Sequence, residues 1–210
     1  MSKKIKVFTG PNNYDFDKMY FEEADQFIVG VDSGLQYLLD NNVNIDLAVG
    51  DFDSLQQKFI DDVKAKSKQV IQLEKSKIMT DLAYAIDYLY NNMDYEMIEI
   101  YGGVGGRIDH LLANMNLLKR FDLTFKDNQH YIYTLRKGKH KIENYHRYIS
   151  FFALEDVYNL SLKGFKYELN NYYLSTSDSL CVSNEGSGEL EFSKGKLLVI
   201  SSDDPWRLTK

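Results

Sequence analysis

The sequence predicts an α/β N-terminal half, built on a mostly parallel, doubly wound sheet, and an all-β C-terminal half closed as a sandwich or barrel. Two observations carry this expectation. Up to about Phe121, short apolar runs alternate with stretches of helical period, the pattern of parallel strands joined by helices. After Asp122 the helical period is lost, and runs rich in Tyr, Phe, Ile, Val and Thr alternate with Gly, Asn and Asp turns. The size permits both halves: 210 residues, 44% of them hydrophobic, can form two small cores. The expected domains are therefore residues 1–121 and 122–210.

In the first half, buried strands are expected at Ile5–Thr9, Phe27–Asp32, Leu47–Gly50, Gln69–Leu73 and Ile98–Tyr101. Helices are expected at Phe16–Ala24, Gly34–Asn41, Leu55–Ala65 and Asp81–Asn92. In the last of these, Leu82, Ile86, Leu89 and Met93 fall on one helical face, and Thr80 stands where an N-cap is needed. A fifth helix, Arg107–Arg120, carries Ile108, Leu111, Leu112, Met115 and Leu118 as an apolar stripe. In the second half, strands are expected at Asp122–Asp127, His130–Arg136, Arg147–Leu154, Tyr158–Leu162, Ser179–Ser183, Glu189–Phe192 and Lys196–Ser201.

Composition narrows the function classes. A net charge of -6 gives no basic excess to displace counterions, so general nucleic-acid binding is not expected. The lone cysteine, Cys181, cannot form an internal disulfide, which favours a reducing compartment. The basic start, Met1 to Lys6, is followed by no apolar signal core, and no apolar run approaches membrane length. A cytoplasmic protein without membrane contact is expected.

Three acidic loops follow successive strands. Gly50-Asp51-Phe52-Asp53-Ser54 closes the third strand, at the carboxyl edge where α/β sheets bind ligands. Asp51 and Asp53 can share a hard cation there through oxygen ligands; read alone, the string is equally a strand-to-helix turn. Asp32-Ser33-Gly34 lies one strand earlier and can add negative charge or simply cap the next helix. Thr80-Asp81 begins the fourth helix, where a cap and a first-turn acid are ordinary. What joins them is their common edge.

The most specific string is Tyr101-Gly102-Gly103-Val104-Gly105-Gly106-Arg107-Ile108-Asp109-His110. Glycines between a strand and a helix let backbone N–H groups approach a phosphate at the helix N-terminus. Arg107 then stands where a guanidinium reaches a second phosphate. Arg107, His110 and Asn114 share a helical face, whereas Asp109 is turned away from them, able to face a metal or a substrate hydroxyl. The spacing is neither G-x-G-x-x-G nor a Walker A loop. In the β half, Ser183-Asn184-Glu185-Gly186 reads alone as a turn. Trp206 suits either stacking on an aromatic ligand or covering an edge.

In this order and spacing, Asp32-Ser33-Gly34, GDFDS at 50–54, Thr80-Asp81, GGVGGRIDH at 102–110 and Ser183-Asn184 resemble bacterial thiamine pyrophosphokinases, from about Val7 to Asp203. The resemblance implies a homodimer with its active site at the subunit interface. It implies that an N-terminal domain binds ATP and magnesium and that a C-terminal β domain helps bind thiamine. Carried over, Asp51, Asp53 and Asp81 form the metal and phosphate site, with Thr80, Gly103, Gly105, Gly106 and Arg107 on ATP. Asp109 stands near the thiamine hydroxyl, and Ser183 and Asn184 contact thiamine. The implied reaction moves the diphosphate of ATP onto that hydroxyl, leaving AMP. Ile78 departs from the family, which often has Asp there, and Ile45 stands where the family often has Pro. Two rivals remain at this point: a haloacid-dehalogenase-like phosphatase using the Asp-x-Asp pair, and a non-catalytic nucleotide- or thiamine-binding module.

Overall fold

The run Ile5–Phe8 is buried along its whole length and becomes the middle of a parallel sheet. The computed structural model describes residues 3–12, 14–52, 57–74 and 78–204. They form two units, Met1–Leu117 with Phe125–Asn128, and Leu118–Thr124 with Gln129–Lys210.

In the first unit, β1 (Lys3–Phe8), β2 (Gln26–Val31), β3 (Ile45–Gly50), β4 (Ser67–Gln72) and β5 (Tyr95–Tyr101) pair in parallel in the order β4-β3-β2-β1-β5. A short β6 (Thr124–Lys126) lies beyond β5. Helices α1 (Phe16–Met19), α2 (Ser33–Asp40), α3 (Gln57–Lys66) and α4 (Asp81–Asn92) fill the connections, and α5 (Ile108–Arg120) follows β5. The chain steps outward from β1 to β4, then returns to set β5 on the other side of β1. The direction of winding reverses between β1 and β5, so the loops after those two strands diverge and open a crevice at the carboxyl edge.

Strand parity assigns the core. Phe8, Ile28 and Ala48 pack with Leu35, Leu38 and Val63 on one face. Ile5, Val7, Val29 and Val31 have the opposite parity and are equally buried, and α4 packs on β2 and β3. Both faces are therefore covered, as continuous apolar strands require. Lys6 is the exception inside this core, 2% exposed. Its ammonium donates to the Phe21 carbonyl at 2.5 Å and meets the Glu23 carboxylate at 2.9 Å, so its charge is paired.

Several elements differ from expectation. Helix α1 stops at Met19 and not at Ala24, because Tyr20 turns extended and the chain runs on to bring Phe21 and Glu23 to Lys6. The start of the third expected helix, Leu55, lies outside the described residues, as do Asp53, Ser54 and Trp206. The apolar stripe of α5 divides. Leu117 and Leu118 are buried with Asn114, while Ile108 and Leu112 are 73% and 60% exposed. Those two lie more than about 100° round the helix from Asn114, so a face chosen by Asn114 and Leu118 leaves them outside.

The second unit is an antiparallel sheet in the order β7-β10-β8-β9, from β7 (His130–Ile142), β8 (Tyr148–Lys163), β9 (Leu169–Leu174) and β10 (Gly188–Ser202). Ile149, Phe151, Leu160, Leu190 and Val199 centre its core. Four of the expected strands merge into two. The apparent turn at Ser193-Lys194-Gly195 is a register shift inside β10, and Glu155-Asp156 lies within β8. A bulge absorbs extra residues without ending a strand. Ser179–Ser183 is not a strand: it is a turn followed by a single bridge between Ile149 and Asn184. Strand β9 falls where no strand was expected, because Asn170-Asn171 lowers the β-propensity of the run.

Candidate active site

Three loops converge at the crevice of the first unit. Thr9-Gly10-Pro11 leaves β1, Asp32-Ser33 leaves β2, and the Gly-rich segment leaves β5. With His110 and Asn114 they line a cleft of about 290 Å³. Close backbone packing brings them together. A Cβ on Gly34 would lie 2.0 Å from the Phe8 carbonyl oxygen, so only glycine lets α2 start against the end of β1. Asn12 Nδ2 donates to the Ser33 carbonyl at 2.9 Å and ties the first loop to the second.

In the Gly-rich loop, Gly102, Gly103, Gly105 and Gly106 all take positive φ. Gly102 is the most constrained: at φ +86° a Cβ would meet the Thr9 carbonyl oxygen at 2.2 Å. The Gly102 N–H donates to the Lys126 carbonyl at 3.1 Å. Asn114, 7% exposed, donates from Nδ2 to the Gly103 carbonyl at 2.9 Å. Gly103, Gly105, Gly106, Arg107, His110 and Asn114 all line the cleft, so the shared helical face read from the spacing is present.

Asp109 is turned off that face. Arg107 donates to it twice, from Nε at 3.1 Å and from Nη2 at 2.5 Å. That hydrogen-bonded contact holds the Asp109 carboxyl below its ordinary range and raises the Arg107 guanidinium further. The two residues that the sequence assigns to different groups are thus bound to each other.

The acidic loops follow the same edge outward. Asp32 lines the cleft, and its Oδ1 lies 3.2 Å from where a Gly50 Cβ would stand. Its backbone, at φ 49° and ψ -121°, is a conformation that L-residues seldom adopt, at a cost of about 1–3 kcal/mol. Phe52, buried, also has a positive φ of 56°. Asp51, at the end of β3, and Asp81, in the first turn of α4, are half-buried. Thr80 caps α4, its hydroxyl accepting from the Ala83 N–H at 3.2 Å. None of Asp51, Thr80, Asp81 and Asp109 lines the cleft itself, whereas Asp32 does. With strands spaced about 4.8 Å apart, the carboxyl ends of β5, β1, β2 and β3 form a strip about 14 Å long, with the glycines and Arg107 after β5, Asp32 after β2 and Asp51 after β3.

Among the described residues no three Asp, Glu, His or Cys side chains converge into a ready cage. The carboxylates of Asp32, Asp51 and Asp81 are hard oxygen donors. They suit a small divalent cation that keeps several waters and takes one or two carboxylates together with ligand phosphate oxygens.

In the second unit, Leu162, Tyr167, Leu180, Cys181, Ser183 and Asn184 help line a cleft of about 420 Å³. Burial pushes the Cys181 thiol up to about 11, so this sulfur is an apolar wall and not a nucleophile. Ser183 is exposed, with a φ of 58° and its N–H bonded to Ser150 Oγ at 3.0 Å. Asn184 is buried, and its carboxamide is committed: Oδ1 accepts from the Tyr167 and Glu185 N–H groups, both at 2.9 Å, and Nδ2 donates to the Tyr167 carbonyl at 2.7 Å. Asn184 shapes the turn on which Ser183 stands.

Sequence reasoning missed Thr9-Gly10-Pro11 and gave Asn114 no task. A Gly-Pro pair directly after the first strand was the available signal for the former.

Residues 19–133 match the family described as thiamin pyrophosphokinase, catalytic domain, and residues 133–197 match its vitamin B1 binding domain. The thiamine pyrophosphokinase of Bacillus subtilis (strain 168) is 36% identical over 211 residues, covering 94% of this chain and 97% of its own. A crystal structure of thiamine pyrophosphokinase from Bacillus subtilis superposes with a TM-score of 0.85 at 35% identity, covering 96% of this chain and 100% of that one. One from Geobacillus thermodenitrificans gives a TM-score of 0.81 at 32% identity, over 96% and 98% of the two chains. None of these similarities supports the phosphatase or the non-catalytic reading. With both domains matched in order and nearly the whole length covered, the chain belongs to the thiamine pyrophosphokinase family of enzymes.

Proposed function

We propose that this enzyme transfers the β,γ-diphosphate of ATP in one step to the hydroxyl of thiamine, along the strip of loops that starts at the β1/β5 crevice. The observation that carries the reading is the order of groups along that edge: the glycines and Arg107 share a cleft with Asp32, and Asp51 and Asp81 follow the next strands outward. A triphosphate suits the glycines and Arg107, and a metal and the cationic thiazolium ring suit the carboxylates.

The thiamine hydroxyl oxygen attacks the β-phosphorus, the bond from that phosphorus to the α,β-bridging oxygen breaks, and AMP leaves. The backbone of Gly103, Gly105 and Gly106 holds phosphate oxygens. Arg107 exchanges Asp109 for the phosphate and steadies the charge that develops in transfer. Asp109, released by that exchange, accepts a hydrogen bond from the hydroxyl and orients it. A loose transition state needs positioning more than base strength. Asp51, Asp53 and Asp81 would hold magnesium, with Thr80 fixing the turn that carries Asp81. A divalent cation, when bound, neutralises phosphate charge. Ser183, on the turn held by Asn184, contacts thiamine.

We read the active unit as a homodimer with the site at the subunit interface. Ile108 and Leu112, an exposed apolar pair one turn apart beside Arg107, support a covered face there. A free, buried Cys181 supports a reducing, cytoplasmic setting. Among the described residues no helix is long and apolar enough to cross a membrane. At finer grain we read the first unit as doubly wound and the second as a sandwich, with the register shifts of β8 and β10 bending the sheet.

Product analysis tests the function. Purified protein with ATP, magnesium and thiamine is expected to give AMP and thiamine diphosphate in equal amounts. ADP with thiamine monophosphate would replace diphosphate transfer with γ-phosphoryl transfer.

A further inference from the structure

We infer that Asn114 is a positioning residue: its buried carboxamide sets the shape of the Gly-rich loop before nucleotide arrives. The inference rests on the reading that this loop takes the triphosphate of ATP. Four glycines at positive φ leave the loop with little conformational preference of its own. Among the described residues, two hydrogen bonds hold its first turn. One joins backbone to backbone, Gly102 N–H to the Lys126 carbonyl at 3.1 Å. The other is the bond from Asn114 Nδ2 to the Gly103 carbonyl at 2.9 Å.

The second bond has three properties of a designed anchor. Asn114 is almost fully buried, so water competes poorly for the carbonyl. The acceptor is a carbonyl oxygen, so the amide nitrogen must face it, which fixes the orientation of the carboxamide. The Gly103–Val104 peptide is planar, so pinning its oxygen aims its N–H in the opposite direction. Asn114 also lines the cleft, two turns along α5 from Arg107. One side chain thereby couples the helix that begins just after Arg107 to the loop that Arg107 follows. Without it the loop must be ordered by the ligand, and that cost appears in nucleotide affinity.

The test compares wild type with Asn114→Ala and Asn114→Asp. The Asp variant puts an acceptor-only carboxylate against the Gly103 carbonyl. Steady-state kinetics with each substrate varied, and calorimetric binding of magnesium ATP, are the readouts. Loss of one shielded hydrogen bond is expected to weaken magnesium ATP about tenfold in the Ala variant, and further in the Asp variant. KM for thiamine should stay within about twofold, since the anchor does not touch that substrate. A lower melting temperature with unchanged KM values would make Asn114 merely structural and overturn the inference. If neither variant folds, wild-type NMR decides. The Asn114 side-chain amide protons should exchange slowly with water before nucleotide is added, and fast exchange overturns the inference. An active wild type whose variants bind magnesium ATP normally sinks this inference alone. A wild type that neither binds ATP nor forms thiamine diphosphate sinks the functional reading and this inference with it.

Discussion

Arg107 and Asp109 hold each other through two hydrogen bonds while both remain mostly exposed, Arg107 at 73%. Such a pair adds little to stability in water, so its value lies in keeping a guanidinium aimed. Arg107→Ala is expected to lower kcat/KM by about 100- to 1,000-fold, the size of one lost charge-stabilising donor, with the melting temperature unchanged. Near-normal turnover would remove Arg107 from the mechanism. Glu23 is the opposite kind of residue, structural and far from the cleft. Hydrogen bonds from Lys4, then Lys6, hold its carboxyl at about 2 against an ordinary 4.5. A depressed folded-state pKa stabilises the fold above the unfolded value, and that contribution is lost as pH falls from 4.5 through about 2. Glu23→Gln should therefore melt lower than wild type at neutral pH, with the gap closing across that window. A gap independent of pH would show that charge is not the cause. The candidate residues were legible because their chemistry is carried by residue type: carboxylates after strands, an arginine after glycines. That Arg107 is bound to Asp109, and Asn184 to Tyr167, was not legible, since those contacts depend on rotamers and turn geometry.

The segment from β5 through the Gly-rich loop into α5 is the element on which the proposed chemistry turns. Its glycines are needed for shape, most of all Gly102, whose missing side chain makes room for the Thr9 carbonyl. Gly102→Ala is expected to cost about 1–3 kcal/mol from backbone strain, with the close approach to the Thr9 carbonyl added to it, read as a lower midpoint in denaturant unfolding. Wild-type stability in this variant would mean that the loop can relax away from β1. Element existence was largely legible: β1 to β5, α2 and α4 fall within three residues of their expected bounds. The misses have physical causes. Period alone continued α1 past Met19, where the pairing of Lys6 with Phe21 and Glu23 overrides helix propensity. Gly195 read as a chain reversal, but a bulge in a long strand needs the same residue. The α5 stripe divides because sequence gives a helix's apolar residues but not which of its faces the rest of the fold will cover.

For the whole molecule, a net charge of -6 and the carboxylates of Asp32, Asp51 and Asp81 along the ligand edge favour a divalent cation between them and the phosphates of ATP. Chelation of divalent metal is expected to abolish turnover, with recovery on added magnesium and no change in far-UV circular dichroism. Loss of the dichroism signal along with activity would make the metal part of the fold and not of the chemistry. By itself the sequence determined the alternation of strands and helices, the change to β structure, and which loops carry acid, glycine and arginine. These are local properties of period and residue type. Only the tertiary structure decided that β5 returns beside β1, bringing the loops from residues 9, 32 and 103 to a common cleft. Strand order is a long-range choice, made by which buried faces complement one another, and no local pattern in the chain records it.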